Sequence, residues 1–173
     1  MRKRLLGVAA AATVVTGMCA PAALAAVPVG DQDTNFVRSA HQGNLAEIAA
    51  GQDAQKSAMT PCVKAVGARL VTDHQKLDRD LKALAVKSKT VLPAAPTVEQ
   101  QQALRGVTEK AGTAGYDAAW LKNQEAAHTQ TLALIDTQIR SGTDAAVTNA
   151  AKKARPVVAL HLDMVRGGTC HTM

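Results

Sequence analysis

The sequence predicts an all-α fold built from four long amphipathic helices, and three observations carry the prediction. From residue 33 onward apolar residues recur at intervals of three and four, not at two. Ala, Leu, Gln, Lys and Val dominate, while the aromatic residues that favour strands amount to one Phe, one Tyr and one Trp. The periodic stretches run for about 24 residues each, a bundle-helix length, and Pro, Gly or capping residues separate them.

The chain opens differently. Arg2, Lys3 and Arg4 precede an apolar, Ala-rich run from Leu5 to Leu24, which closes on Ala23-Leu24-Ala25. Basic start, apolar centre and A-x-A close are the parts of a secretory leader, expected over residues 1–25. Cys19 lacks the Leu that a lipoprotein signal carries three positions earlier, where Thr16 stands. Residues 26–173 are then expected to form one exported domain with its core over about 33–167. No later stretch approaches the roughly 20 apolar residues of a membrane span. Without the leader's three basic residues the formal charge falls from +6 to about +3. That is too weak and too dispersed for nucleic acid, and stacking platforms are missing as well.

The first helix is expected from Asp33 to Ser57, capped by Asp33 or Thr34 and ended by Met59-Thr60-Pro61. Thr60 caps the second, Pro61 suits its first turn, and it reaches about Ser88. Pro93 and Pro96 break the chain before a short helix, Val98 to Lys110, capped by Thr97. A third long helix covers Tyr116 to Arg140, and Ser141-Gly142 stops it. The last begins at Thr143 or Asp144 and ends at Gly167-Gly168, with Pro156 expected to kink it one turn before His161.

Cys62 and Cys170, outside the leader, are expected to pair as one disulfide, as exported cysteines do. The pairing decides connectivity. In simple up-down alternation the two cysteines sit at opposite ends, about 35 Å apart at 1.5 Å per residue. A disulfide needs Cα atoms within about 7 Å. The segment with the short helix must therefore cross back along the bundle, the topology of ferritin-like folds.

Ionisable residues interrupt the apolar seams. Glu47, His74, His128 and His161 each fall in the seam of a different long helix. Burying such groups unpartnered is costly, so one per helix points to a shared internal site. Counted from the disulfide end, Glu47, His74 and His128 lie about ten, twelve and thirteen residues deep, with His161 shallower at about six to nine. These four are the candidate metal ligands, with Glu125, three residues before His128, as a fifth. Asp73 and His41 are candidates to support the ligands from behind. Imidazole with carboxylate suits Fe, Zn, Cu or Mn, and Met164 near His161 leans toward copper. A di-iron site needs a second Glu-x-x-His pair, which the chain lacks. The alternative is a non-catalytic structural or interaction module, its core tied by metal-free pairs His74–Glu47 and His128–Glu125. Hydrolase, P-loop and dinucleotide signatures are missing.

Taken together, Asn35-Phe36, Gln42-Gly43-Asn44-Leu45-Ala46-Glu47, Thr72-Asp73-His74, Leu92-Pro93, Tyr116-Asp117, His128, Pro156 and His161 resemble the secreted bacterial family called domain of unknown function 4142. The resemblance spans about Asp33 to Arg166. It implies an exported, ferritin-like protein in which Glu47, Asp73, His74, His128, Pro156 and His161 are family-type positions. It implies no reaction. Glu125 and the two cysteines stand outside the pattern.

Overall fold

The computed structural model describes residues 31–171, so the expected leader and its boundary lie outside the described residues. Four long helices and one short one follow in order: α1 (Asp31–Ser57), α2 (Pro61–Ser88), α3 (Val98–Thr108), α4 (Gly115–Ser141) and α5 (Ala145–Val165), then a single 3-10 turn, Arg166–Gly168. The described residues contain no strand, and no described helix is long and apolar enough to cross a membrane.

Local chemistry sets most of the helix ends. The Thr60 hydroxyl accepts from the Val63 N–H, with Pro61 in the first turn of α2. Thr97 and Gln100 form a reciprocal capping box on α3. Asp144 caps α5 by accepting from Ala146 and Val147. The start of α1 departs from expectation. Asp33 lies inside α1, after Asp31 and Gln32. Its carboxylate crosses to the α4–α5 turn, where it accepts from Thr143 N–H and hydroxyl and from Asp144 N–H. Pro156 lies on the exposed side of α5, and the helix runs through it. Pro156 supplies no N–H to the Lys152 carbonyl, yet the helix continues on both sides of it.

The crossover is present. Cys62 and Cys170 are bridged, with Cα atoms 6.2 Å apart. The ends of α1 and α5 and the starts of α2 and α4 therefore share one end of the bundle. Hydrogen bonds tie that end: the Tyr116 hydroxyl donates to Asp53 (2.6 Å), the Trp120 indole to the Ala50 carbonyl (3.0 Å), and Thr60 N–H and hydroxyl to Asp117. The returning segment runs along α1. Gln42 reaches the Ala95 carbonyl and Thr108 reaches Asp53. In this four-helix bundle α1 packs on α2 and α4, and α5 on α4 and α2.

Two glycines let α1 and α2 meet closely. A Cβ on Gly51 would stand 2.5 Å from the Gly67 carbonyl oxygen, and one on Gly67 would stand 2.9 Å from the Gly51 carbonyl oxygen. Backbone cannot yield as a flexible side chain does. Gly51→Ala is expected to destabilise by about 1–3 kcal/mol, the usual range for overpacking. Urea unfolding against Gly43→Ala, whose Cβ meets nothing within 4 Å, isolates the clash from helix propensity.

The core is divided along its length. At the disulfide end Val63, Leu70, Tyr116, Trp120 and Val165 form one apolar cluster. At the other end Phe36, Leu81, Ile135, Val147 and Val158 form a second. Between the two lies a polar layer.

Candidate metal centre

His74 on α2, His128 on α4 and His161 on α5 supply that layer, each at most 2% exposed. Their ring centroids are 5.7, 5.2 and 5.4 Å apart, pair by pair. One nitrogen from each ring belongs to a set whose members lie within 4.8 Å of one another. His161 joins at full depth although its residue count placed it shallower. Side chains on a helix lean toward its N-terminus. In α5 that lean points away from the disulfide, and in α2 and α4 toward it. The leans of antiparallel helices close the gap.

Each ring commits its other nitrogen to a fixed partner. His128 Nδ1 donates to the Gln124 carbonyl oxygen (2.9 Å). His161 Nε2 donates to the Asp73 carboxylate (3.0 Å), which Arg69 also engages. His74 Nδ1 donates to Asn44 Oδ1 (2.9 Å). A carbonyl and a carboxylate only accept, so they fix which nitrogen carries hydrogen in two of the rings. The remaining atoms, His74 Nε2, His128 Nε2 and His161 Nδ1, are buried without a hydrogen-bond partner among the described residues. Three lone pairs thus face one another with no donor among them.

Protonation does not resolve this. Burial holds His74 well below its ordinary value, reinforced by the neighbouring imidazoles. Burial pushes His161 down to about 4, against the opposing pull of Asp73. Both rings are neutral at pH 7, the form that binds a cation.

The metal-free protein should therefore be acid-sensitive. A folded-state pKa below the unfolded 6.5 gives stability that is complete above that value and lost as pH falls toward about 4. For His161 alone the loss is on the order of 3 kcal/mol. Glu47 acts in the opposite sense. Burial raises its carboxyl, so the folded form holds that proton more tightly and acidification favours the fold. Glu47→Gln removes the opposing contribution and is expected to steepen the acid loss, read from urea unfolding in EDTA at neutral and acid pH.

The remaining sequence candidates separate. Glu47 is buried and close enough to His128 for their charges to interact, and its Oε2 has no partner. It lies outside the three-nitrogen set and makes no bond to His74. Glu125 turns away from the layer and accepts from the Gly167 N–H (3.0 Å) at the C-terminal turn, so neither its place as a fifth ligand nor a His128–Glu125 pair holds. His41 also lies elsewhere. It bonds Asp78 and the Pro93 carbonyl (3.0 Å), anchoring the crossover to α1 and α2. Met164 is a core residue of the disulfide-end cluster. Asn44, whose side chain orients His74, stands in the sequence pattern but was not a candidate site residue, while His128 is oriented by the backbone carbonyl of residue 124, which any side chain there would supply. The one signal for Asn44 is helical spacing, one turn before Glu47 on α1.

Residues 18–167 match a protein family described as domain of unknown function (DUF4142). No curated protein and no solved structure matches the chain.

Proposed function

The chain belongs to the DUF4142 family, and we propose that it binds one divalent transition-metal ion in the bundle interior, held by His74, His128 and His161. Glu47 supplies the fourth, anionic position through its unpartnered oxygen. One observation carries the reading: three buried ring nitrogens, each on a ring anchored through its other nitrogen, meet without a donor. A water offers only two hydrogens to three acceptors, whereas a metal ion accepts all three lone pairs. Three donors bonded at about 2.0–2.1 Å to one tetrahedral ion lie roughly 3.3–3.4 Å apart, so nitrogens within 4.8 Å of one another need close by about 1.5 Å at most. Asp73, Asn44 and the Gln124 carbonyl stand behind the rings as the partners that orient ligating imidazoles and raise their basicity.

Imidazole and carboxylate suit zinc, copper, iron and manganese. Three nitrogens and one carboxylate leave a di-iron site without enough carboxylates. The role this supports is metal handling or protection against metal-driven stress outside the cytoplasm, where the leader-like start would send the chain. The test is elemental analysis of untagged protein purified without chelator, beside His74→Ala. The expected result is about one equivalent of transition metal in the native chain and none in the variant. Equal metal in both, or none in either after incubation with zinc, copper, iron and manganese salts, overturns the proposal.

A further inference from the structure

Beside the imidazole layer, and extending toward the end of the bundle away from the disulfide, lies a cavity of about 880 Å³ lined by all five helices, with His74 and Glu47 on its wall. Protein interiors normally contain few voids larger than a water, and pockets for small ligands run to about 300–1,000 Å³. Its origin is legible in the packing. The Tyr and Trp both fill the disulfide-end cluster, while small residues such as Ala46, Ala127, Ala150 and Ala154 face the cavity. Exposed Asp80, Lys87 and Lys153 border it, so it is reached from solvent.

The wall is mostly apolar, with Phe36, Leu81, Leu134, Ile135 and Val158 along it. At the inner end stand two carboxamides. Asn44 Nδ2, a donor, and Gln124 Oε1, an acceptor, belong to residues lining the cavity and are buried without partners among the described residues. Asn44 is 6% exposed and Gln124 1%. An unpaired buried polar group is destabilising, so both favour an occupant that supplies the missing bonds.

We propose that this cavity binds a neutral single-chain amphiphile, its tail along the apolar wall and its head between Asn44 and Gln124. The head must both accept and donate, as a hydroxyl does. The two carboxamides carry no charge and so favour a neutral head, and Glu47 on the same wall disfavours an anionic one. Neither carboxamide is a proposed metal ligand, but His74 and Glu47 share the wall, so binding is tested on the metal-free protein.

The test uses 1-decanol titrated calorimetrically into the full mature chain in EDTA, with decyl methyl ether as a comparator that accepts but cannot donate. The expected result is saturable one-to-one binding of decanol, at least tenfold tighter than the ether. Gln124→Leu should erase that preference. Ala154→Phe, which fills the cavity, should weaken both ligands at least tenfold while its unfolding transition stays cooperative. If that variant fails to fold, Leu134→Trp serves the same purpose. No saturable binding, or binding that survives the cavity-filling variant, overturns the cavity as the site. Equal affinity for alcohol and ether, or tighter binding of decanoate or decylammonium, overturns the head-group assignment. Working in EDTA separates this outcome from the fate of the metal site, which is read by metal content alone.

Discussion

Replacing His128 by Leu is expected to abolish metal-induced stabilisation while leaving the metal-free fold as stable as before, or more so. The two halves of this result come from different sources. A ligand bound only by the native state stabilises it by about 4 kcal/mol when present at a thousandfold excess over its Kd. For a domain of this size that is on the order of 10 °C in Tm. Removing one of three imidazoles removes most of it. In the metal-free protein, by contrast, His128 Nε2 is a buried acceptor without a donor, close to two others. Leu fills a similar volume, is apolar, and carries no lone pair to leave unpaired. The bond it gives up goes to a carbonyl already inside helix α4. Replacing a strained polar group by an apolar one of similar shape is near neutral or stabilising. A metal-free structural role predicts the reverse, a loss of several kcal/mol without metal and no metal effect in either protein. Thermal unfolding of both proteins, in EDTA and with zinc, separates the two. Asp73→Asn adds a graded check. The ring it orients remains, so metal affinity should fall only about 10–100-fold.

The helices and their connectivity were legible because the signals that set them are local or covalent. Thr60-Pro61 and Thr97…Gln100 specify their own helix starts. The Cys62–Cys170 pair, once assumed, left a crossover as the only way to bring its ends together. The inward histidines were legible for a related reason. Seam spacing of three and four specifies a helix face, and a polar residue on that face has nowhere else to point.

Azimuth was the harder quantity. Each helical residue advances about 100°, so Glu125 sits about 60° around α4 from His128. That is enough to swing it out of the interior and against the Gly167 N–H. By the same arithmetic six residues leave His41 about 120° from Glu47 on α1. It belongs to the α1–α2 seam, where Asp78 waits. Asn44 and Gln124 were not candidate site residues because carboxamides on a helix most often face water. Their role exists only once another helix delivers a histidine or encloses a cavity beside them. The cavity itself had no sequence signature beyond abundant alanine, since a void depends on how four helices diverge and not on any one of them.

Reducing the Cys62–Cys170 bond is expected to lower stability by about 4–5 kcal/mol while leaving metal affinity unchanged. The magnitude follows from the separation of 108 residues, because a long loop released in the unfolded chain restores much conformational entropy. The unchanged affinity follows from where each effect acts. The disulfide restricts the unfolded ensemble, whereas a metal ion stabilises the native state. Contributions made to different states add. The packing supports that separation. Tyr116, Trp120 and Val165 form an apolar cluster between the disulfide and the imidazole layer. The Asp53 and Asp117 hydrogen bonds hold the same end without the sulfur bridge. His161 should thus keep its place when the bridge is removed. In a Cys62→Ser, Cys170→Ser double variant, zinc should raise the unfolding free energy read from urea titration by the same amount as in the native chain. A metal increment that shrinks with the disulfide would mean instead that the covalent tie positions α5, and with it His161, for coordination.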